Sequence, residues 1–527
     1  MEVSSDKVAE QKLQNSIETH GLRRAVGTWG SFTWGYADVG ADVYVALGLV
    51  AGYAQGWTPF AFLITGIIYI FIGMAYTELS STYPVAGGGQ YYTLRGLGDL
   101  AGFTSGWCLL LDFSIDISLF GLATAGYLNY FLKRIWPWIT QPLPWAIETI
   151  ILIGILLFLN VRGIRESSKL NEIFCGVDLF NETFILVVGF IVAWSPNLLH
   201  QQIMYQKPTL HNFLFGCSIA IISYIGLESI SQAAEETIKP ASVVPRTSLA
   251  LILTVIIYAL SFSTLALGVM PWQILEANKA DPVAILAQSI PYVGVVAGPF
   301  TAILAMTLIY ASTNTGVMGC SRITYSMSSF RLLPKWFNKV HPKYRTPVRT
   351  IFVFSGLAII QVILASLSMD AMDTLANLYA FGAVTGYIFV LISLIRLRFV
   401  DPYSPRPFKV PGNIRIRYKD RLIDFPILAI VGIIGNLAIL VVVVATHELG
   451  RIAGPSWLIF GLIFYFLFRK AEGLPIFGNV SREWEQQQMK VLEEAQEMDI
   501  LKEYKNALSI RDKKLGKYNH QKGEPGS

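Results

Sequence analysis

Seven acidic residues stand inside apolar stretches of this chain, and six of them come in pairs. Asp38 and Asp42 lie in "GYADVGADVYVALG", Asp112 and Asp116 in "LLLDFSIDISLF", Asp178 and Glu182 in "CGVDLFNETF"; Glu228 stands alone in "SYIGLESI". Each pair is spaced i, i+4, which puts both carboxylates on one face of a helix. Like charges at that spacing repel. An acid at bilayer depth costs about 2.5–3.5 kcal/mol on insertion scales, so such residues face a bundle interior or a water-filled path and mark a functional site. Internal ion pairs are the simplest compensation, and the sequence argues against them. No Lys or Arg occurs between Arg24 and Arg95, Arg95 and Lys133, Lys169 and Lys207, or Lys207 and Lys239. Protons, bound cations or a cationic substrate must then balance the charge. Asp112 and Glu182 are read as the acids nearest helix ends, where water would compensate them.

The elements that hold these acids are membrane helices. Of 527 residues, 53% are apolar and only 15% charged, with mean hydropathy +0.49; a soluble domain carries about 25% charged residues. The first twenty residues are polar and show no signal-peptide core. Spans of about 20 apolar residues are expected at 27–55, 58–82, 100–131, 145–161, 170–195, 211–235, 247–270, 293–325, 350–368, 372–397, 425–447 and 453–469, twelve in all. With the N-terminus in the cytoplasm, one side collects Arg23, Arg24, Arg95, Arg162, Arg165, Lys169, Lys239, Arg246 and the basic runs 331–349 and 396–421. The other side holds only Lys133, Arg134, Lys207, Lys279 and Arg451. Cytoplasmic loops are rich in Lys and Arg, so both termini are expected inside, in the plasma membrane.

The expected division is an N-terminal segment (1–26), a ten-helix core (27–397), a basic loop (398–424), two further spans (425–469) and a tail (470–527). In the tail, Val491, Ala495, Met498, Leu501, Tyr504 and Leu508 recur at helical spacing. That helix suits a membrane surface, a partner, the cytoplasmic mouth or plain solvent. The closing "GKYNHQKGEPGS" is expected to be disordered.

Other features carry less chemistry. Cys108, Cys175, Cys217 and Cys320 show no metal or disulfide spacing and read as core residues. Six His residues form no metal or nucleophile motif, so no enzyme and no cofactor are expected. The triple glycine 87–89 lacks the Lys-Ser/Thr of a phosphate loop. The net charge of +5 sits in loops and tails and does not indicate nucleic acid. Gly35, Gly40 and Gly48 weaken the first span, and Ser223-Tyr224-Ile225-Gly226 does the same in the sixth. Transporters bind substrate at such breaks; Gly48 also suits close helix packing.

Three ordered motifs resemble permeases of the amino acid–polyamine–organocation superfamily, over roughly residues 20–400. "GMAYTELSSTYPVAGGGQYYTLRGLGDLAGFTSGW" (73–107) is similar to the second span and its loop, "SYIGLESISQAAEETIKP" (223–240) to the sixth, and "GVMGCSRITYSMSSFRLLPKWFNKVHPKYRTP" (316–347) to the end of the eighth. The resemblance implies an all-α leucine-transporter-type fold: a five-plus-five inverted repeat, first and sixth spans broken at mid-membrane, the eleventh and twelfth outside the repeat. It implies alternating access driven by an ion gradient or exchange, and no catalysis. This chain departs from the family at three points. Gly40-Ala41-Asp42 stands where the family has Gly-x-Gly, whose free N–H groups take a carboxylate. Asp38 occupies a position that is usually apolar. Asp178 stands where proton-coupled relatives often carry a lysine in place of sodium. Ser312, Thr313 and Asn314 of the eighth span are expected nearby as oxygen ligands.

Three functions follow. The first is secondary transport of an amino acid, with the acids favouring basic amino acids or polyamines. Its expected substrate residues are Asp38, Gly40, Ala41, Asp42, Tyr44, Asp116, Ser223, Tyr224, Gly226 and Glu228; Asp178, Ser312, Thr313 and Asn314 serve a coupling proton or sodium ion. The second is uptake of a bare monovalent cation such as potassium through Asp38, Asp42 and Tyr44. The third is a non-transporting sensor that signals through the charged tail. Uniport, symport, exchange and oligomeric state stay open.

Overall fold

The computed structural model describes residue 24 and residues 26–162, 168–341, 343–344, 346–367, 371–418, 421–446 and 448–514. Most of the expected N-terminal segment, with Arg23, lies outside the described residues. So do Arg165, the side chain of Lys169 and the closing stretch 516–527.

Among the described residues, eleven helical stretches are long and apolar enough to cross a membrane. The first, Thr28–Thr82, runs 55 residues. At about 1.5 Å per residue it far exceeds a hydrocarbon core of about 30 Å. It divides into α1 (Thr28–Val39), α2 (Asp42–Ala54) and α3 (Thr58–Thr82). A 3-10 turn at Gln55–Trp57 separates α2 from α3, with Gln55 at φ 49°. A short α4 (Gly89–Leu97) leads into α5 (Asp99–Leu132), followed by α6 (Pro142–Arg162) and α7 (Ser168–Val192). After a short α8 (Pro196–Tyr205), the next span, Leu210–Ala233, joins α9 (Leu210–Ala220), a 3-10 turn Ile221–Tyr224 and α10 (Glu228–Ala233). Then come α11 (Pro240–Val269), α12 (Trp272–Ala277), α13 (Pro282–Gln288), α14 (Gly294–Ser329), α15 (Val348–Ala365) and α16 (Ala371–Val400). The last spans are α17 (Ile427–Thr446) and α18 (Glu448–Ala471); α19 (Trp484–Glu494) and α20 (Met498–Lys514) form the tail.

Helix ends fall within a few residues of expectation except at α11. That helix starts seven residues early, because Pro240 takes a first-turn position that needs no N–H partner. The basic loop also holds an element not expected in an all-α reading. β1 (Asn413–Tyr418) pairs antiparallel with β2 (Arg421–Pro426), Ile416 opposite Ile423. Alternating Ile and Arg in "NIRIRY" satisfies the period-two pattern of a strand.

The core is organised around α1, α5 and α14. α5 is buried along its length and packs on α14 and α16. α1 packs against α7, α10, α11 and α14. Gly87 and Gly88 take positive φ, 108° and 48°. A Cβ there would stand 2.4 Å from Ser326 Oγ and 2.6 Å from Ser231 Oγ respectively. The triple glycine thus turns the chain so that α4 fits between α14 and α10.

The tail folds back onto the bundle. Gln488 donates to the Thr82 carbonyl (2.8 Å) and accepts from Arg95 (3.0 Å). The Arg482 guanidinium donates to Asp99 and to the Phe330 carbonyl, and the Ala241 N–H donates to Glu497 (3.0 Å). Leu492, Leu501, Tyr504 and Leu508 bury a small core of their own with Tyr403 at its edge. Of the settings open to this amphipathic helix, the structure places it over one end of the bundle.

Candidate functional site

The two breaks face one another. Between α1 and α2, Gly40 and Ala41 leave the helix pattern but keep right-handed angles, and the Gly40 N–H still donates to the Tyr36 carbonyl (2.7 Å). This interruption is slighter than the glycines suggest. The opposite break is larger. Ile225 is extended, and Gly226 sits at φ 118° before α10 begins. A Cβ on Gly226 would lie 3.0 Å from Asp38 Cγ and from the Val39 nitrogen. Glycine therefore allows the second break to press against the end of α1.

Around these breaks five acids gather from four elements: Asp38 (α1), Asp42 (α2), Asp112 and Asp116 (α5) and Glu228 (α10). Asp42 lies within electrostatic reach of the other four. Asp38 accepts hydrogen bonds from the hydroxyls of Ser229 and Thr315, and more weakly from Ser312 (3.4 Å). Glu228 accepts from the Tyr387 hydroxyl (2.8 Å) and the Gly226 N–H (3.1 Å). Asp42, Asp112 and Asp116 are each 1% exposed; no protein group donates to either oxygen of Asp42 or Asp116, and Asp112 meets only the Glu228 carboxyl. Gly316 leaves room for Asp116: a Cβ there would stand 2.6 Å from Oδ2. The hydroxyls of Tyr69 and Tyr76, near Glu228, are also unpartnered. None of the five acids makes an ion pair among the described residues. Arg322 of α14 is taken up by Glu236 and lies over the Trp34 ring at 4.8 Å.

These acids come from four elements and are spread out rather than gathered at one point. Among the described residues no three His, Cys, Asp or Glu side chains are placed to hold one metal ion.

A second acid cluster sits on α7. Tyr36 Oη lies 2.9 Å from Asp178 Oδ2 and 2.6 Å from Glu182 Oε2, and the Tyr44 hydroxyl donates to Asp178 Oδ1 (2.8 Å). The Tyr127 hydroxyl holds the Tyr44 carbonyl (2.9 Å), and the two rings meet edge to face. A small cavity lined by Tyr36, Val39, Gly40, Val43, Glu182, Ser223 and Tyr258 has room for about one water.

The expected residues divide as follows. Asp38, Asp42, Asp116 and Glu228 converge, with Gly40, Ala41 and Gly226 at the breaks. Ser223 lines the small cavity. The Tyr224 hydroxyl donates to the Phe62 carbonyl (2.7 Å) and its ring stacks on Tyr69. Tyr44 joins Asp178 rather than the substrate acids. The expected ion set does not assemble. Ser312 goes to Asp38, Thr313 donates to its own helix at the Ile309 carbonyl (3.0 Å), and Asn314 accepts from Asn160 (2.7 Å). Asp112 and Glu182 are not wet helix ends, being 1% and 0% exposed. Sequence reading missed Tyr36, Ser229, Thr315 and Tyr387 as partners. Thr315 had a signal: it lies three residues after Ser312, on the same face of α14.

The amino acid permease family matches residues 27–468. The chain is 25% identical over 477 residues to the branched-chain amino acid permease of Bacillus subtilis (strain 168), covering 85% of this chain and 94% of that protein. It is 27% identical over 422 residues to cationic amino acid transporter 4 of Mus musculus, covering 77% of this chain and 65% of that protein. It is 26% identical over 361 residues to the low-affinity putrescine importer of Escherichia coli (strain K12), covering 67% and 76%. Members of this family are integral membrane transporters and not enzymes. With 442 matched residues spanning α1 to α18 (27 to 468), the chain belongs to the amino acid permeases of the amino acid–polyamine–organocation superfamily.

Proposed function

We propose that this permease carries cationic small molecules, basic amino acids or polyamines, bound among Asp38, Asp42, Asp112, Asp116 and Glu228. The observation that carries this reading is the pair of buried carboxylates on Asp42 and Asp116 that no protein group serves, beside Asp112, which has only the Glu228 carboxyl. An isolated buried carboxylate is costly in a low-dielectric interior, and five cannot stay ionised together without cations. A substrate with separated ammonium or guanidinium groups supplies them. The relatives are named for both neutral and cationic substrates, so the acids, not the relatives, favour the cation.

Binding proceeds from groups this chain holds ready. The α-amino group of an amino acid, or one amine of a polyamine, meets Asp38 and Glu228, whose orientation Thr315, Ser229 and Tyr387 fix. A side-chain cation reaches Asp42, Asp112 and Asp116. A carboxylate, where one is present, lies against the backbone of the two breaks, at Gly40–Ala41 and Gly226. Asp178 serves the coupling ion. The chain crosses the membrane twelve times, Thr28–Thr82 passing twice. Residues 27–397 form a five-plus-five inverted repeat of the leucine-transporter type that alternates access in the plasma membrane. The tail-bearing end faces the cytoplasm, in keeping with its Lys and Arg.

The competing reading is uptake of a bare monovalent cation. The dispersion of the acids favours an extended molecule over a single ion. Purified full-length protein in liposomes, given labelled arginine, putrescine, leucine and rubidium, tests both. Arginine or putrescine should accumulate and compete with each other. Rubidium alone would select ion uptake, and leucine as the best substrate would refute the charge argument. Binding without transport of any would select a sensor.

A further inference from the structure

Tyr36 has one hydroxyl hydrogen and two carboxylate neighbours. Its oxygen lies 2.9 Å from Asp178 and 2.6 Å from Glu182, both distances of hydrogen bonds. One phenol hydrogen serves one of them. The other contact needs a hydrogen from the carboxyl side, since two acceptors cannot bond each other. Tyr44 settles the direction. It already donates to Asp178 Oδ1 (2.8 Å). With Glu182 protonated, every contact has a donor: Glu182 donates to Tyr36, Tyr36 donates to Asp178 Oδ2, and Tyr44 donates to Asp178 Oδ1. The reverse arrangement, with the proton on Asp178, leaves an ionised Glu182 holding a single donor. Its Oε1 has no partner and is fully buried.

We infer that Glu182 is a proton-carrying group in a second site, built from Asp178, Glu182, Tyr36 and Tyr44 and separate from the acids that meet the substrate. The inference rests on the transport reading only for the use made of the proton. Protonation forms one O–H bond on the Glu182 carboxylate. Release breaks it, sends the proton to water and leaves a charge of −1.

The position suits coupling. Glu182 lines the small cavity together with Gly40 of the first break and Ser223 beside the second. Tyr36 precedes the Gly40–Ala41 interruption and Tyr44 follows it, so the cluster grips both halves of the broken span. Deprotonation leaves two like charges one helical turn apart and one Tyr36 hydrogen between them. The contact with α1 then weakens while Tyr44 keeps its bond from α2. The groups facing Glu182 are Asp178 on its own helix, Tyr36 on α1 and Tyr44 on α2. Tyr258 on α11 and Tyr127 on α5 stand further off. None is basic. α14, also packed on α7, brings Thr301, which accepts from Asn181 (3.2 Å) and carries no charge.

Infrared difference spectroscopy of the full chain in liposomes, read as pH is changed with no substrate present, tests this. One of the carbonyl-stretch bands of protonated carboxylic acids should be missing from the Glu182→Gln spectrum, with the others unchanged, and that band should be kept in Asp178→Asn. Tyr36→Phe should shift its frequency, and Glu182→Asp should restore the band at a moved midpoint. An unchanged spectrum in Glu182→Gln, or loss of the band in Asp178→Asn alone, would overturn the assignment. So would loss of the band on adding sodium at fixed pH, which would make the site a sodium site. Because no substrate is used, failure here is distinct from failure of the cationic-substrate reading.

Discussion

Acids at the tail-bearing end of this molecule and acids in the middle of its bundle have different partners. At the tail-bearing end the buried Glu78 and Asp99 and the half-buried Asp401 each have an arginine. Glu78 receives two hydrogen bonds from Arg398, at 2.7 and 2.6 Å, and one from the Val410 N–H. Asp99 is held between Arg469 (2.8 Å) and Arg482. Asp401 meets Arg95 (2.7 Å), Ser404 and Tyr83. In the middle of the bundle, Asp42 and Asp116 have no donor at all, Asp112 has only the Glu228 carboxyl, and Asp38 and Glu228 have no basic partner. The first set is complete within the chain and serves the architecture. The second set has no basic partner among the described residues, the feature on which the proposed carriage of cations rests.

Removing charges from the two regions should therefore have opposite effects. The largest change is expected from Arg398→Ala, which leaves Glu78, at the junction of α3, α16 and the basic loop, with only the longer Arg406 contact (3.5 Å) and the Val410 N–H. Breaking a buried pair costs about 3–5 kcal/mol, so the midpoint of thermal unfolding in detergent should fall steeply. A midpoint within error of the parent would show that the two regions are alike. Asp42→Asn is the counterpart. It removes an uncompensated charge, so the unfolding midpoint should hold or rise. Uptake of a cationic substrate should nonetheless drop by about tenfold or more, the equivalent of about 1.4 kcal/mol. A destabilised Asp42→Asn protein would place this residue among the structural acids.

Thr315→Val sharpens the comparison inside the site. It deletes a donor to Asp38 and keeps the shape. A hydrogen bond to a charged group contributes about 1.5–3 kcal/mol, and part of that should appear as weaker substrate affinity at nearly unchanged stability. Equal affinity in a titration of uptake rate would remove Thr315 from the site.

The smallest effect is a pH response confined to the paired region. Burial pushes the Asp401 carboxyl up, but Arg95, Ser404, Arg406 and Tyr83 outweigh it and hold the group below the usual carboxylate range. Its folded value thus lies below an unfolded value of about 3.9. The stabilisation is present above that value and is lost as pH falls through the folded one. Asp401→Asn should flatten this part of the acid limb in a plot of unfolding midpoint against pH. An unaltered limb would mean the Arg95 contact contributes nothing.

The spans and the acids were legible in the sequence because both are local signals: long apolar runs, and carboxylates where none belong. Ser223–Gly226 also announced its break, since a glycine at positive φ follows a 3-10 turn there. The partners were not legible. Tyr387 reaches Glu228 across 159 positions and Thr315 reaches Asp38 across 277, and only the packing of α1, α10, α14 and α16 brings them together. Tyr36 was passed over for the acid two residues later, because i, i+2 residues do not share a helix face. Its own face turns to α7, which converts a pair of acids on one helix into a four-residue cluster. The tail was legible as an amphipathic helix but not as a clasp, for its binding surface consists of loop carbonyls and arginines drawn from distant segments.

The most direct test compares initial uptake of labelled arginine and of citrulline, which keeps the shape and lacks the charge, by the full chain in liposomes. The account predicts that arginine leads by about tenfold or more and that this lead collapses in Asp42→Asn. Citrulline carried as fast as arginine, with Asp42→Asn indistinguishable from the parent, would contradict it.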